Sequence, residues 1–421
     1  MFKGFYVKGR HLYDPCGEKV ILRGVANPHI WFLSDALDWL EEIENTGANC
    51  VRIVWNISGS AEALDEAIST CIDLDMIPMI ECHDATCDLS MLDEVVDYWT
   101  SDDILEIIYE HEEYLLINIA NEAGAWEATA GEFRTAYESA ILEMRDAEIH
   151  VPLIIDGTDC GKRIDVLQSE GPYLIGIDPD SNLIFSVHMW WNSKTGYAES
   201  LISSEITQSV NMDLPLIVGE FGGWFDWEGC EVTTQTIVPY KTIIEQCHLN
   251  QIGYIAWSWT GNSCSILDMS EDGTYETLHG WGDTVAVVSP YSIEETSIRP
   301  YFIVHNGECN PNPDQVETDI ALKPVNSYEL YQNHPNPFNA GTQIEYELLI
   351  PADITLAIYD ITGKKIRTLV DQWKAKGKYT VNWNGINDLG LSVSSGIYIY
   401  ELSVKKDKQV FKQSNTMILL K

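Results

Sequence analysis

The chain has 421 residues, too many for one ordinary domain and enough for a barrel of about 250–300 residues followed by a module of about 100. Hydrophobic residues make up 45% of the chain, which excludes global disorder and permits a large core. The formal net charge of −40 argues against nucleic acid or an anionic membrane surface as a partner, and suits a neutral substrate. A role of this charge in solubility alone is an open alternative.

The charge is distributed unevenly. Residues 321–421 carry 12 Lys and Arg against 9 Asp and Glu, whereas residues 1–320 carry 13 against 56. This asymmetry favours two modules.

Short apolar runs alternate with amphipathic segments between residues 20 and 305. Runs of four to six apolar residues are typical of strands buried on both faces. We expect eight such strands, at Val20–Val25, Cys50–Trp55, Ile77–Cys82, Leu115–Ala120, Leu153–Asp156, Leu183–His188, Leu216–Glu220 and Gly253–Trp257. We expect helices at Ser34–Thr46, Ala61–Leu74, Met91–His111, Ala128–Ala147, Ala198–Val210, Thr233–Leu249 and Ser292–Ile303, with a shorter one after the fifth strand. Eight βα units predict an α/β fold, the closed (β/α)₈ TIM barrel, and the segment Phe5–Tyr13 is expected to form a hairpin beneath it.

The pattern changes after residue 306. Asn and Pro around Cys309 indicate a linker, and beyond Tyr328 apolar residues alternate with polar ones at a period of two. We therefore predict a catalytic barrel over residues 1–306, a linker over 307–327 and a small all-β, immunoglobulin-like sandwich over 328–421.

The ten cysteines all precede residue 310 and form no CxxC pair. Buried thiols and a few disulfides are therefore favoured over a zinc site. No apolar stretch reaches the roughly 18 residues of a membrane span. The first residues do not have the pattern of a signal peptide, so secretion would require a longer precursor.

Ionisable and amide residues follow the apolar runs where barrel enzymes carry their chemistry, at the carboxyl ends of the strands. Asn121-Glu122 comes directly after the fourth predicted strand, and Glu220 ends the seventh. Two carboxyl groups about 5–5.5 Å apart serve retaining glycoside hydrolysis, and a wider separation serves inversion. Arg52 would keep the nucleophile ionised, and Asn121 would hydrogen-bond a sugar hydroxyl.

Tryptophan is the second indication of a sugar site. Twelve of the 14 tryptophans precede residue 310, and many follow predicted strand ends. Indole planes can stack on the apolar faces of sugar rings, although ordinary packing would explain about half of them.

Several motifs stand in a fixed order along the barrel: Thr46-Gly-Ala-Asn-Cys-Val-Arg-Ile-Val54, His83-Asp-Ala-Thr86, Ile117-Asn-Ile-Ala-Asn-Glu122, Ile217-Val-Gly-Glu-Phe-Gly222 and Ala256-Trp-Ser-Trp-Thr-Gly-Asn262. With them, residues 4–305 resemble glycoside hydrolase family 5, most closely its bacterial β-mannanase subfamily 8. The resemblance implies that Glu122 is the acid/base and Glu220 the nucleophile. It also implies a supporting and substrate-binding set of Arg52, His83, Asn121, His188, Trp190, Trp257, Trp259, His29 and Trp31. Trp257 would stack on the sugar in subsite −1, with Trp259 competing for that role. The mechanism requires no metal and no cofactor.

The chain departs from the family pattern at four positions. Ala123 stands where the family usually has Trp, and Trp190 where it usually has Tyr. Asn27-Pro-His29 replaces His-Ala-His, and Cys87 replaces Gly. We expect these changes to affect subsite preference rather than the class of reaction.

The C-terminal segment carries Tyr331-Gln-Asn-His-Pro-Asn-Pro-Phe-Asn339 and Ser395-Gly-Ile-Tyr398. It resembles a type IX secretion sorting domain of the FlgD immunoglobulin-like form, which implies export to the cell surface or medium through that machinery. A carbohydrate-binding role for this module is the alternative.

The leading hypothesis is a monomeric, secreted, retaining endo-β-1,4-mannanase that acts on mannan, glucomannan or galactomannan. An endo-β-1,4-glucanase on the same scaffold is the nearest alternative. A non-catalytic polysaccharide-binding protein is a further one, but pure binding would require neither Glu122 nor Glu220.

Overall fold

The computed structural model describes residues 3–226, 229–311, 328–339, 341–348, 352–360, 363–375, 377–406 and 409–420. The chain divides into two compact units, Met1–Lys323 and Pro324–Lys421, each with its own apolar core. Most of the expected linker lies outside the described residues, and Cys309 at its start is joined by a disulfide to Cys16 of the first unit.

The first unit is a closed barrel of eight parallel strands, as predicted. Strands one to eight are Arg23–Asn27, Cys50–Trp55, Ile77–Cys82, Leu116–Asn118, Leu153–Asp156, Leu183–His188, Leu216–Glu220 and Gly253–Ala256. Each strand pairs with the next along the chain, and strand eight closes on strand one with Tyr254 opposite Arg23. Every strand is buried along its length, so continuous apolar runs were the correct signal.

A small antiparallel sheet lies under the barrel. Its strands are Tyr6–Lys8, His11–Tyr13 and Lys19–Val20. Phe5, Leu12 and Val20 pack in one cluster with the first residues of several barrel strands, which confirms the predicted hairpin at the barrel floor. The first predicted strand was wrong in its bounds, because Lys19–Val20 pairs with the hairpin and the barrel strand begins only at Arg23.

The helices of this unit are Ala36–Glu44, Ala61–Asp73, Leu92–Trp99, Asp102–His111, Ala130–Asp146, Ile164–Ile177, Glu199–Asn211, Tyr240–Asn250, Gly280–Asp283, Ile293–Thr296 and Tyr301–Val304. The sequence predicted a short helix after strand five. This prediction was wrong, because the helix has 14 residues. In the described part of the chain, no helix is both long enough and apolar enough to cross a membrane.

Three predicted helices were too long. Met91–His111 is two helices that meet at Thr100 and Ser101, where the Ser101 backbone is extended. Thr233–Leu249 begins only at Tyr240, after Pro239, and Ser292–Ile303 is divided before Pro300. Proline lacks the backbone N–H of a helix interior and disfavours helical backbone in the residue before it, so the last two boundaries have a local cause.

The described cysteines form the disulfides Cys16–Cys309, Cys87–Cys160 and Cys230–Cys264. Cys50, Cys71, Cys82 and Cys247 are buried thiols. The expectation of buried thiols with a few bridges is thus confirmed.

The second unit is a two-sheet β structure. One sheet contains Tyr328–Leu330, Thr342–Leu348 and Gly377–Trp383, and the other contains Lys365–Lys374, Ala352–Asp360, Gly396–Lys406 and Gln409–Leu419. Alternate residues of these strands, such as Ile344, Leu356 and Leu402, are fully buried in a common core, which explains the period of two in the sequence.

Candidate active site

Two glutamates face each other at the carboxyl ends of strands four and seven. Glu220 is the last residue of strand seven, and Glu122 follows strand four with its backbone in the left-handed region (φ +49°). One carboxylate oxygen of each glutamate and a ring nitrogen of His188 all lie within 4.8 Å of one another. This spacing agrees with the roughly 5–5.5 Å required for retention and is shorter than the range for inversion.

Glu220 is held as a carboxylate by the groups around it. Arg52 Nη1 donates to its Oε1 at 2.6 Å, and the indole N–H of Trp190 donates to its Oε2 at 3.2 Å. Burial alone would raise the pKa of Glu220, but the positive charges of His188 and Arg52 outweigh burial and lower it. An ionised, buried carboxylate is suited to nucleophilic attack.

The pKa of Glu122 moves in the opposite direction. Burial of its carboxyl raises the pKa, and the negative charge of Glu220 adds to this effect. His188 Nδ1 lies 2.8 Å from Glu122 Oε1 and opposes the rise without cancelling it. Two neighbouring carboxyls with pKa values pushed apart are what an acid and a nucleophile require.

His188 links the two glutamates to a third acid, Asp156, at the end of strand five. The ring Nε2 lies 3.3 Å from Asp156 Oδ2, and Nδ1 lies 3.3 Å from Glu220 Oε2. Burial disfavours a charged imidazole, but the carboxylates of Asp156 and Glu220 raise the pKa of His188 well above its ordinary value. The carboxylates around His188 therefore favour its protonated form.

Arg52 is the centre of a buried network of charged groups. Its guanidinium nitrogens lie 3.8 Å from Glu81 Oε1, 3.8 Å from Asp156 Oδ2 and 2.6 Å from Glu220 Oε1.

The carboxyl pair lies in an open cleft of about 610 Å³. Its walls are His83, Thr86, Cys87, Asn121, Glu122, Cys160, Lys162, Trp190, Glu220, Phe225, Trp257 and Leu267. Trp257 is partly exposed and lies stacked on the His83 ring, with 5.6 Å between centroids and 22° between planes. An aromatic face next to the two carboxyls fits an apolar sugar face, and the polar walls fit hydroxyl groups.

The donor atoms of Glu122, His188 and Glu220 are close enough to ligate one metal ion. They also contact one another and Arg52, because His188 Nδ1 lies 2.8 Å from Glu122 Oε1 and Arg52 Nη1 donates to Glu220 Oε1. The geometry fits proton transfer between these side chains.

Comparison with known proteins identifies the family. Residues 13–263 match the family described as Cellulase (glycosyl hydrolase family 5), and residues 336–409 match the FlgD Ig-like domain. The chain is 32% identical over 320 residues to the mannan endo-1,4-beta-mannosidase of Salipaludibacillus agaradhaerens, a match that covers 74% of this chain and 99% of that protein. This chain belongs to glycosyl hydrolase family 5.

Two further comparisons point the same way. A mannan endo-1,4-beta-mannosidase of Cellvibrio japonicus is 30% identical over 293 residues, which is 66% of this chain and 65% of that protein. The mannohexaose complex of the Thermomonospora fusca beta-mannanase is 29% identical with a TM-score of 0.63, and the match covers 71% of this chain and 99% of that one. The first unit is thus a family 5 glycoside hydrolase barrel, and the match to the FlgD Ig-like domain falls within the second unit.

Most of the residues expected to serve this family 5 site lie together. Asn121 accepts from Arg52 Nη2 at 2.7 Å and donates to Thr86 Oγ1 at 2.9 Å. Trp31 lies outside the group that lines the cleft, but its half-exposed ring meets His83 edge-on at 5.0 Å.

Two of the expected residues do not reach the cleft. Trp259 is fully buried, and its indole donates to the Gly273 carbonyl at 2.7 Å, so Trp259 has no face to offer a sugar. His29 is buried beside Trp55, and burial lowers its pKa to about 4. The expectation that Trp259 competes with Trp257 as the stacking platform was wrong. Both residues follow strand eight, which ends at Ala256, and Trp257 lines the cleft, whereas the Trp259 ring is buried in the protein.

Four functional residues of this family 5 site were not predicted. Glu81 and Asn118 lie within strands three and four and bind His83 and Arg52, and Asp156 accepts the Glu122 backbone N–H at 2.9 Å. Lys162 lines the cleft beside Cys160. An acid inside an otherwise apolar run was the available signal for Glu81 and Asp156, because a buried charge needs a partner.

Proposed function

We propose that this chain is a retaining endo-β-1,4-mannanase that hydrolyses internal bonds of mannan, glucomannan or galactomannan. The observation that carries the proposal is the pair of buried carboxyls within 4.8 Å, one with a lowered and one with a raised pKa. The choice of mannan is supported by the names of the relatives and by the mannohexaose held in the Thermomonospora fusca beta-mannanase.

The two glutamates divide the reaction into two displacements. Glu220 attacks the anomeric carbon while the bond to the leaving oxygen breaks, and Glu122 gives its proton to that oxygen. Glu122, now a carboxylate, then takes a proton from water, and the water oxygen displaces Glu220 from the anomeric carbon. Two inversions give net retention. Arg52 and Trp190 bind the carboxylate of Glu220 before attack and after release.

Replacement of each glutamate tests this assignment. Glu220→Ala should abolish turnover and keep substrate binding, because the nucleophile is lost while the cleft remains. Added azide should restore turnover in Glu220→Ala and give the α-glycosyl azide, whereas Glu122→Ala with azide should give the β-glycosyl azide. Undiminished activity of Glu220→Ala, or products of inverted configuration in the wild type by NMR, would refute the retaining mechanism. A binding protein would show no turnover before either replacement.

An endo-β-1,4-glucanase is the second candidate, because the matched family description is that of a cellulase. Mannose and glucose differ at C2, so contacts beside the anomeric carbon decide between them. Release of reducing sugar from mannan should exceed release from carboxymethylcellulose by about 30- to 150-fold, the discrimination that 2–3 kcal/mol of lost contacts provides. The reverse order would assign the chain to glucan.

We also propose that the protein is exported and that its FlgD Ig-like unit serves type IX sorting. Three disulfides among the described cysteines support an oxidising destination. Removal of residues 328–421 should leave the enzyme inside a producing cell that has this machinery, and cell fractionation with an activity assay would measure it. Equal activity outside the cells with and without the unit would contradict this role.

A further inference from the structure

The Cys87–Cys160 disulfide joins the two loops on either side of the loop that carries Glu122. Cys87 lies after strand three and Cys160 after strand five, whereas Glu122 follows strand four. The Cys87 N–H donates to the Glu122 carbonyl at 3.0 Å, and the Cys160 N–H donates to the Gly124 carbonyl at 3.1 Å. Both cysteines therefore hold the acid/base loop through their own backbones.

The same disulfide contacts the side chain of Glu122. A sulfur of each cysteine lies within 4.8 Å of a Glu122 carboxylate oxygen, and both cysteines line the cleft. A disulfide has no hydrogen to donate to a carboxylate and keeps water from the space it fills. This wall therefore disfavours ionisation of Glu122.

The loop that carries Cys160 also positions the partner of Glu122. The His188 N–H donates to the Gly161 carbonyl at 2.8 Å. Gly161 has φ +78°, and a Cβ there would lie 2.5 Å from the His188 ring. One cross-linked loop thus contacts both members of the Glu122–His188 pair.

We propose that the Cys87–Cys160 disulfide is a positioning element for acid catalysis, which keeps the Glu122 carboxyl dry and aimed at the leaving oxygen. The inference rests on the proposed function, in which Glu122 is the acid/base. Reduction of this disulfide would weaken protonation of the leaving group more than attack by Glu220.

Several charged groups around Glu122 are chemically unchanged in a variant that lacks the disulfide. They are His83 after strand three, Asp156 and Lys162 from strand five and its loop, His188 from strand six and Glu220 from strand seven. A change in the pH profile of a cysteine variant would therefore come from altered hydration and position of the Glu122 carboxyl and its neighbours, because the substitutions add and remove no charged group.

Two substrates with one sugar and different leaving groups test the proposal. Phenyl β-mannobioside needs a proton on its leaving oxygen, whereas 2,4-dinitrophenyl β-mannobioside does not. For Cys87→Ala/Cys160→Ala, kcat/KM should fall on the phenyl substrate at least about tenfold more than on the dinitrophenyl one, a part of the 10²–10⁴ that general acid catalysis supplies. The alkaline limb of kcat/KM should move to lower pH, because a more hydrated Glu122 loses its proton more readily. The matched control Cys16→Ala/Cys309→Ala should keep the wild-type ratio of kcat/KM on the phenyl substrate to kcat/KM on the dinitrophenyl substrate.

The ratio of the two rates does not depend on the folded fraction of a preparation. Treatment of folded wild type with a phosphine reductant gives a second route to the same comparison and should change the ratio in the same direction. An unchanged ratio and an unchanged alkaline limb in the cysteine variant would overturn the proposal. Glu122→Ala separates failure of this inference from failure of the proposed function. If kcat/KM falls more on the phenyl than on the dinitrophenyl substrate in Glu122→Ala but equally on both in the cysteine variant, only the disulfide inference is wrong. If Glu122→Ala loses equal activity on the two substrates, both the disulfide inference and the proposed function are wrong.

Discussion

Asp156 contacts both the backbone of Glu122 and the ring of His188. Its Oδ2 accepts the Glu122 N–H at 2.9 Å and lies 3.3 Å from His188 Nε2. Glu122 has φ +49°, a conformation that costs a non-glycine residue free energy and persists only where its surroundings hold it. Burial would raise the pKa of Asp156, but His188 and Arg52 outweigh burial and lower the pKa to about 2.

Asp156→Asn should therefore reduce both activity and stability. The amide keeps the shape but lacks the charge opposite His188, so the His188 pKa should fall and kcat on mannan should drop by about 10- to 100-fold, the cost of losing 1.4–2.7 kcal/mol of transition-state stabilisation. A carboxyl with a folded pKa near 2 and an unfolded pKa near 4 contributes about 2–3 kcal/mol of stability above pH 4, which is lost as pH falls toward 2. The difference in unfolding free energy between wild type and variant in urea should thus be larger at pH 7 than at pH 3. Asp146→Asn, an exposed change on the helix before strand five, serves as control. Equal differences at both pH values would mean that Asp156 is not a buried anion.

Trp190 tests how the nucleophile is tuned. The indole N–H donates to the Glu220 carboxylate, as Arg52 does, and the ring packs at 5.3 Å against Phe225. Trp190→Phe should keep most of the packing but remove a donor that favours the anion, so the Glu220 pKa rises. The acidic limb of kcat/KM should move to higher pH by up to about one unit, since a hydrogen bond to a charged group contributes about 1.5–3 kcal/mol and this one is long. Trp126→Phe, at an exposed indole, should leave both limbs in place. A shift of the alkaline limb instead would assign the indole N–H to Glu122.

At the scale of elements, the loop after strand five provides a second test of how the site is positioned. Gly161→Ala has two costs. It places alanine at φ +78°, and the added Cβ would lie 2.5 Å from the His188 ring. Gly196 has φ +86° with open space around it, so Gly196→Ala carries the backbone cost alone, about 1 kcal/mol. Gly161→Ala should lower the unfolding free energy by at least about 1 kcal/mol more than the control and reduce kcat severalfold, because the imidazole must move. Denaturant unfolding and steady-state kinetics measure the two effects. Equal losses in the two variants would mean that the ring adapts freely.

The elements also show which parts of the molecule could be predicted from sequence. Barrel strands were located within a few residues because burial on both faces leaves a mostly apolar run, as in Cys50–Trp55, where Arg52 is the one charged residue. Helix ends were less accurate, since amphipathic periodicity continued across Ser101 and past Pro239, where backbone chemistry ended the helix. Glu122 and Glu220 could be predicted because they stand just after or at the end of apolar strand segments, but the roles of Asp156 and the Cys87–Cys160 disulfide depend on contacts between separate strands and loops.

At the scale of the whole molecule, the two units differ in charge and in chemistry. The excess of acidic residues lies in residues 1–320, which include the barrel, whereas residues 321–421 carry a small positive excess. A neutral polysaccharide is not repelled by the acidic unit, and its binding depends on stacking and hydrogen bonds. Cleavage of mannan should therefore depend only weakly on ionic strength.

Because each unit has its own apolar core, we expect the barrel to fold and to be active without the second unit. The match to the Salipaludibacillus agaradhaerens protein covers 99% of that protein but only 74% of this chain. That relative is therefore shorter than this chain, by about the length of the second unit. A chain ended after Pro311 keeps Cys309 and its disulfide to Cys16, which closes the barrel unit. Its kcat/KM on soluble manno-oligosaccharides and on insoluble mannan should stay within about twofold of the full chain, because the cleft residues belong to the first unit. A loss of tenfold or more confined to insoluble mannan would instead assign carbohydrate binding to the FlgD Ig-like unit, since such a module raises the effective concentration of enzyme at a surface without changing the chemistry in the cleft.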